Sequence, residues 1–261
     1  MKIFVMVDME GISGICRSSQ VIPGEAHYEA GRRLLTGDVN ACVAGCLAGG
    51  ASRIVVRDAH GGGYHFVFDE LDDRAEYIQG ATGRDRMPGI AGFDGLILLG
   101  YHAMAGTPKA ILEHTMSSKG WQNFWLNGKR SGEFAIDAAI AGDRGVATIM
   151  VSGDDKLCRE AKRLVGGIVT ARVKKGLDCQ GGQLLPAARA RKLITESAAR
   201  AVGLCGQIKP YKVRHPVRMR LELVSRGRVP AGRKGVKVID GRTYEVTAPT
   251  VEEALWSLIG R

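Results

Sequence analysis

No segment of this sequence stays apolar over the roughly 20 residues that a membrane-spanning helix requires, which argues against a helical membrane protein. The opening apolar run, Ile3 to Val7, is also too short for the core of a signal peptide. The 6 cysteines form no Cys-x-x-Cys pair and no dense framework, which excludes a disulfide scaffold. We therefore expect a cytoplasmic protein with reduced thiols and no membrane partner.

Acidic residues are the minority among the charged ones, with 27 Asp and Glu against 37 Lys and Arg, for a formal net charge of +10. Much of the excess lies between Lys209 and Lys237, where Glu222 is the single acid. A basic patch of this kind can bind nucleic acid, but no aromatic residues alternate with its cations as stacking platforms. Because Arg218 to Leu223 alternates strictly, its charges should face water. We expect a solvated face or a subunit contact, and no nucleic-acid partner.

Three short apolar runs each end in residues that can bind a metal. The runs are Lys2 to Val7, Ile54 to Val56 and Leu96 to Leu99, and the residues that follow them include Asp8 and Glu10, then His60, then His102. Such runs are typical of buried parallel strands, and ligands of open α/β sheets bind outside the carboxyl ends of these strands. We therefore expect these carboxylates and imidazoles to meet in one crevice.

Glu133, which begins a predicted helix, completes a mixed set of oxygen and nitrogen ligands with Asp8, Glu10, His60 and His102. This set suits zinc, with manganese or cobalt as alternatives, and does not suit a soft thiolate site. One metal needs only three protein ligands and a water, so five candidates indicate a two-metal centre. Taken singly, each residue has an ordinary explanation as a loop acid, a core histidine or a first-turn helix acid. Their joint placement favours a metal site, because unpaired buried charges are costly.

The order of strands and helices predicts an α/β fold with a doubly wound, mostly parallel sheet and helices on both faces. A smaller C-terminal α+β appendage should follow. We predict an α/β metal-binding catalytic domain over residues 1–205 and the strand-and-helix appendage over 206–261. A helical region is expected from Gly24 to Leu47, interrupted near Thr36–Asp38, where either residue could cap a second part. Asn127-Gly128 predicts a β-hairpin.

Several segments of the chain form one distinctive set: Val7-Asp8-Met9-Glu10-Gly11-Ile12-Ser13-Gly14, Asp58-Ala59-His60-Gly61, Gly100-Tyr101-His102-Ala103, Gly106-Thr107-Pro108 followed by His114-Thr115-Met116, and Gly132-Glu133. Together they closely resemble the zinc-dependent D-aminopeptidases of the dipeptide-transport-operon type. They follow the order of that family from Met1 to roughly Asp155 and match it more weakly beyond. Asp-Met-Glu-Gly-Ile-Ser-Gly near the N-terminus, together with the other segments, is a specific signature.

The resemblance implies a binuclear zinc aminopeptidase that hydrolyses short peptides with a D-amino acid at the N-terminus. Asp8 would bridge two Zn²⁺ ions in each subunit, with Glu10 and His60 on one side and His102 and Glu133 on the other. The resemblance also implies a homo-oligomer, a decamer of two stacked five-membered rings, in which the chamber limits substrates by size.

His114 matches a family histidine regarded as a catalytic group near the metals, which would stabilise the oxyanion or return a proton to the leaving amine. A structural histidine packed after Leu112 is the other interpretation. The charged segment Lys109–Glu113 could change the substrate, so side-chain preference and D versus L specificity stay open. Two competing functions also stay open: another two-metal hydrolase, such as an amidase or phosphoesterase, and a non-enzymatic nucleic-acid-binding protein.

Asp58 follows the second apolar run and has two interpretations. It could orient His60 or a neighbouring ligand from behind, as metal-bound histidines usually require, or it could form a plain salt bridge. The remaining histidines are interpreted as surface or structural residues, and they are His27, His65 and His215.

Overall fold

A computed structural model describes residues 1–260, which form two β-sheets and five α-helices. In chain order the strands are β1 (Lys2–Val7), β2 (Arg53–Asp58), β3 (Glu76–Ile78), β4 (Gly95–Leu99), β5 (Trp121–Leu126), β6 (Lys129–Arg130), β7 (Thr148–Asp154), β8 (Val169–Asp178), β9 (Gly181–Leu184), β10 (Val217–Leu223), β11 (Lys237–Val238) and β12 (Thr243–Ala248). The helices are α1 (Tyr28–Ala48), α2 (Glu133–Asp143), α3 (Asp155–Leu164), α4 (Ala187–Val202) and α5 (Val251–Ile259). No helix among residues 1–260 has the length and apolar character to cross a bilayer.

The larger sheet has seven strands in the order β3-β2-β1-β4-β7-β8-β9. Every neighbouring pair is parallel except β8 and β9, which pair antiparallel. Its central strands are apolar on both faces, since Ile3–Val7, Leu96–Leu99 and Ile149–Val151 are at most 1% exposed. Strands buried on both faces require helices on both sides of the sheet. The predicted α/β class with a mostly parallel sheet is confirmed.

The strand order reverses between β1 and β4, which lie side by side at the middle of the sheet. α1 connects β1 to β2, whereas α2 and α3 precede and follow β7 in the other half of the sheet. Because parallel crossovers are right-handed, these connections place α1 on one face and α2 and α3 on the other. α1 packs against α4, and α2 packs against α3. A reversal of this kind opens a crevice at the carboxyl ends of the two central strands.

α1 differs from its prediction in two ways. It begins at Tyr28, because Gly24 has φ 86° and the residues up to His27 form turns. The predicted interruption near Thr36–Asp38 is wrong, since the helix continues through these residues. Asp38 does not cap a second helix. Its buried carboxylate instead accepts hydrogen bonds from Ser13 on the neighbouring loop.

The smaller sheet has five strands in the order β11-β12-β10-β5-β6, and its neighbours pair antiparallel. α5 packs against β10 and β12. The predicted hairpin is confirmed as β5 and β6, and β5 pairs with β10. This sheet therefore takes strands from both sides of residue 205. The division of the chain into two domains at that residue stays a prediction.

The basic stretch between Lys209 and Lys237 contains β10, the central strand of the smaller sheet. Met219 and Leu221 are buried, while the side chain of Arg218 is 51% exposed and that of Arg220 is 41% exposed. The alternation predicted for this strand is confirmed. Its charges are solvated and partly paired, because both arginines lie within 4 Å of a carboxylate oxygen of Glu245 on β12.

Candidate metal centre

The loops that leave β1 and β4 touch each other at the central crevice, and this contact brings the first candidate ligands together. Asp8 follows β1 directly, and His102 lies three residues beyond β4. The backbone N–H of Gly11 donates to Gly100 O at 2.7 Å. A Cβ atom at residue 11 would lie 1.9 Å from Tyr101 O, so only glycine permits this approach.

One cluster consists of Asp8, Glu10 and His60, which come from the ends of β1 and β2. Nδ1 of His60 lies 3.0 Å from Oδ1 of Asp8 and 3.1 Å from Oε2 of Glu10. Both acids are 5% exposed. The spacing of two residues between the acids, together with the parallel pairing of β1 and β2, therefore brings all three side chains to one point, as the sequence predicts.

A second cluster consists of His102, His114 and Glu133. Nε2 of His102 lies 3.3 Å from Oε1 of Glu133 and 3.3 Å from Oδ2 of Asp8. Nε2 of His114 lies 3.6 Å from the same oxygen of Glu133, and the two imidazole rings stack with centroids 4.0 Å apart. The two carboxylate oxygens of Asp8 thus face different clusters, and this residue joins them.

Each imidazole donates from one ring nitrogen to a backbone carbonyl and turns its other nitrogen toward the carboxylates. The donating pairs are His60 Nε2 to Val21 O (3.0 Å), His102 Nδ1 to Ala103 O (3.1 Å) and His114 Nδ1 to Leu112 O (2.9 Å). A carbonyl can only accept, so these contacts fix the tautomer of each neutral ring. In the neutral ring, the nitrogen that faces the carboxylates is the one that offers a lone pair to a metal. Metal-ligating histidines in proteins are held in this way.

The charges of the centre are strongly interdependent. Burial opposes ionisation of Asp8, but the facing imidazoles of His102 and His60 hold the pKa of its carboxyl well below the usual range. Burial also opposes ionisation of Glu133, yet the charge of His102 lowers its pKa to about 2. Burial likewise disfavours the charged form of His60 and His102, but the facing carboxylates raise the pKa of both imidazoles well above the usual value. Asp8 and Glu133 are thus ionised and depend on positive charge beside them.

Among residues 1–260, three buried polar atoms in the centre have no hydrogen-bond partner: Oδ2 of Asp8, Oε2 of Glu10 and Nε2 of His102. An unsatisfied buried polar atom is costly, and several at one point call for a ligand that they share. Carboxylate oxygens and imidazole nitrogens are the donors that zinc, manganese and cobalt accept. The residues present therefore fit two divalent cations, one in each cluster.

Asp58 holds the loop of His60 through the backbone and does not touch the imidazole. Its carboxylate accepts from the backbone N–H of His60 at 3.3 Å and of His65 at 2.7 Å, and burial raises its pKa to about 6. The salt-bridge interpretation is not supported, because Asp58 forms no ion pair within residues 1–260. His65 is a buried structural residue, as expected, and hydrogen-bonds to His60 O and to the Tyr28 hydroxyl.

Two supporting groups escape the sequence analysis. Asp137, one helical turn after Glu133, accepts hydrogen bonds from Arg86 and from the Tyr101 hydroxyl and is fully buried. Asp137 lies four residues after Glu133 and therefore on the same face of the helix, and this spacing is the sequence signal that would place it near the centre. Lys174 on β8 contacts the loop of Glu10. It has no such signal in the sequence, because nothing there distinguishes this buried lysine from the exposed Lys175 that follows it.

Comparisons with known proteins agree with this geometry. Residues 1–258 match the protein family described as D-aminopeptidase. The D-aminopeptidase of Bacillus subtilis (strain 168) is 34% identical over 214 residues, which cover 80% of this chain and 77% of that protein. The solved structure of the Zn-dependent D-aminopeptidase DppA from Bacillus subtilis, described as a self-compartmentalizing protease, superposes with a TM-score of 0.95 at 30% identity. That superposition covers 100% of this chain and 96% of the other. The chain therefore belongs to the D-aminopeptidase family of peptidases.

Proposed function

We propose that this enzyme is a zinc aminopeptidase that uses a binuclear centre to hydrolyse short peptides with an N-terminal D-amino acid. One observation carries the proposal: Asp8 of the first three-residue cluster also faces His102 of the second, and each imidazole is tied through its far nitrogen to a backbone carbonyl. Glu10 and His60 would hold one zinc ion, His102 and Glu133 the other, and Asp8 would bridge them. Manganese or cobalt could replace zinc in this donor set.

Zinc, when bound, supplies a Lewis acid that polarises the peptide carbonyl and makes water acidic enough to attack at neutral pH. The chain's own residues do the rest. The carboxylates of Asp8, Glu10 and Glu133 would hold the cations and balance most of their positive charge. The backbone contacts of His60 and His102 keep both rings in place through the reaction.

His114 is proposed as the catalytic residue beside the metals. Its Nδ1–H donates to Leu112 O, so its Nε2 is the atom available to hold or move a proton. The ring is partly exposed, at 16% of its side-chain area, whereas that of His102 is 1% exposed. A partly exposed imidazole can reach a substrate, and it would stabilise the oxyanion or return a proton to the leaving amine.

Zinc analysis coupled to a dipeptide panel tests the proposal. We expect two equivalents of zinc per chain and release of amino acid from D-Ala-D-Ala but not from L-Ala-L-Ala. Bound metal without peptide cleavage would support the metal centre but reject the aminopeptidase function. Release of phosphate from a phosphoester would instead identify the enzyme as another type of two-metal hydrolase. His114→Ala should keep both ions and lose activity. Loss of one ion from this variant would make His114 a ligand.

We also propose that the subunits assemble as a homo-oligomer, a decamer of two stacked five-membered rings, located in the cytoplasm. The extent of the superposition on a protease described as self-compartmentalizing supports the assembly, and the free state of all 6 cysteines supports the location. A chamber would limit substrates to small peptides. Sedimentation equilibrium tests the assembly, since a decamer would have about ten times the chain mass of 28.0 kDa. A monomeric or dimeric active enzyme would reject it.

A further inference from the structure

One buried lysine holds the loop that carries Glu10. Lys174, on β8, donates from Nζ to the backbone oxygens of Glu10 at 2.5 Å, Ile12 at 2.9 Å and Ile15 at 2.7 Å. The residue is 2% exposed. β4 and β7 lie between β1 and β8 in the sheet. Lys174 therefore ties the loop after β1 to a strand that is not its neighbour.

The three contacts of Lys174 use every N–H donor of an ammonium group, whereas a neutral amine has only two. Burying a charge is costly unless it is paired and hydrogen-bonded. Three backbone acceptors at one nitrogen meet this condition, and the carboxylates of Asp154 and Asp38 add opposite charge nearby. A buried, fully bonded ammonium group of this kind makes the position of the loop specific.

Other contacts hold the same loop from two further directions. Ser13 donates from its backbone N–H and from its hydroxyl to the two carboxylate oxygens of Asp38 on α1, at 2.8 and 2.7 Å. The Gly11 N–H donates to Gly100 O in the loop after β4. The backbone from residue 10 to residue 15 is thus fixed by protein groups alone, before any contribution from a cation.

We propose that Lys174 is a positioning residue for one half of the metal centre. Its ammonium group fixes the backbone at Glu10, so that the carboxylate of this residue meets Asp8 and His60 without help from an ion. The proposal rests on the proposed function, because it takes these three residues as zinc ligands. Within residues 1–260 the hydrogen bonds of Nζ all go to this loop, so the effect is confined to the Glu10 half of the centre.

Zinc binding by Lys174→Met and Lys174→Gln, measured by competition with a chromophoric chelator, tests the proposal. We expect one of the two binding steps to weaken by about 10- to 100-fold, the usual effect of removing a group that supports a ligand, and the other step to stay unchanged. Glu10→Gln serves as the reference for a damaged Glu10 half. Lys175→Met, at the exposed neighbouring position, is the matched control and should bind both ions normally. Equal weakening of both steps, or of neither, in a folded variant would overturn the proposal.

Hydrogen–deuterium exchange on the wild-type chain gives a second test that needs no substitution in the core. Residues 10–16 should exchange slowly in the metal-free protein, and zinc should change this protection little, because Lys174 and Asp38 already hold the loop. Free exchange that becomes protected only when zinc is added would reject prior positioning.

The two proposals fail in distinguishable ways. If the wild-type chain binds no zinc, the proposed function fails. If the wild-type chain binds two ions and the Lys174 variants bind them with the same two affinities, the role of Lys174 alone fails.

Discussion

The two sheets of this protein handle charge in opposite ways. At the edge of the seven-stranded sheet, charged groups such as Asp8 and His102 are buried and depend on one another. On the open face of the five-stranded sheet, groups such as Arg242 and Glu222 pair while partly exposed, with 41% and 18% of their side chains accessible. Water stabilises the second set and cannot reach most of the first. The difference indicates that charged residues point to a functional site in this protein where the fold buries them, and not where they stay solvated.

The five-stranded sheet nevertheless contributes to the centre at one point. The hairpin of β5 and β6 leads directly into Gly132 and Glu133, where α2 begins. Pairing of β5 with β10 therefore fixes the start of the helix that carries a candidate ligand. A sheet that holds no site residue still sets the position of one.

The largest expected effect contrasts one glutamate from each sheet. Glu10→Gln removes a buried charge from the centre, and we expect kcat to fall by at least about 100-fold, as for other groups that stabilise charge in a reaction. Glu222→Gln removes a carboxylate from the open face of β10 and should leave kcat unchanged. Steady-state kinetics on one peptide measure both variants. Equal activity of the two would break the contrast between the sheets.

The next effect concerns stability and compares two arginines. Arg86→Met leaves the carboxylate of Asp137 buried and without its charged partner, which should cost about 3–5 kcal/mol of unfolding free energy. Arg242→Met removes the partner of Glu222 on the open face and should cost less than about 1 kcal/mol. Urea denaturation of the metal-free proteins gives both values. A cost for Arg86→Met as small as that for Arg242→Met would show that Asp137 is not effectively buried.

A third effect depends on pH and involves Glu160 on α3, behind the loop of His102. Burial raises the pKa of this carboxyl to about 7, above its usual 4.5, and its Oε2 accepts from the Met104 N–H. The folded state thus binds more protons than the unfolded state between pH 4.5 and 7, so this group lowers stability as pH rises through that window.

Glu160→Gln keeps an acceptor for Met104 and removes the charge. The variant should exceed the wild type in unfolding free energy by on the order of 2 kcal/mol at pH 8, and the gain should shrink toward pH 5. Urea denaturation of the metal-free proteins at both pH values measures the difference. A gain of the same size at both would exclude this titration as its cause.

The smallest effect tests whether the contribution of a charged pair depends on its solvent exposure and not on the sheet to which it belongs. Arg53 and Glu76 form an ion pair between β2 and β3 of the seven-stranded sheet, with side chains 49% and 61% exposed. A double-mutant cycle replaces each residue by alanine, alone and together, and compares the free energies of unfolding. We expect no coupling energy between Arg53 and Glu76 that urea denaturation in 0.5 M salt can resolve. A clear coupling would mean that even exposed charges on this sheet behave differently.

The seven-stranded sheet could be predicted because each of its central strands is recognisable from a short stretch of sequence. Buried parallel strands read as apolar runs, and the acids and histidines that follow them meet because parallel strands end at one edge. Asp8, Glu10, His60 and His102 are predicted in this way. Glu133 is added as an acid at the start of a predicted helix after a hairpin, and His114 depends on the resemblance to a family. The assignment of these residues as metal ligands stays a prediction.

The five-stranded sheet could be predicted only in part. The hairpin of β5 and β6 has a clear turn signal, but nothing in its sequence shows that β5 pairs with β10, some 90 residues later. Alternation tells which face of a strand is buried and does not identify its neighbour. The role of Lys174 is hidden for a similar reason, because it depends on three backbone carbonyls from a distant loop.

The glycine contacts between the loops after β1 and β4 have a consequence for how this centre can change. A Cβ atom at residue 100 would lie 2.3 Å from Asp8 O, and one at residue 11 would meet Tyr101 O. The distance between the two clusters is therefore determined by backbone contacts between the two loops, at glycines that carry no side chain. Substitution of either glycine would move the clusters apart while leaving every candidate ligand intact, and a survey of chemical groups alone would misread such a variant as harmless.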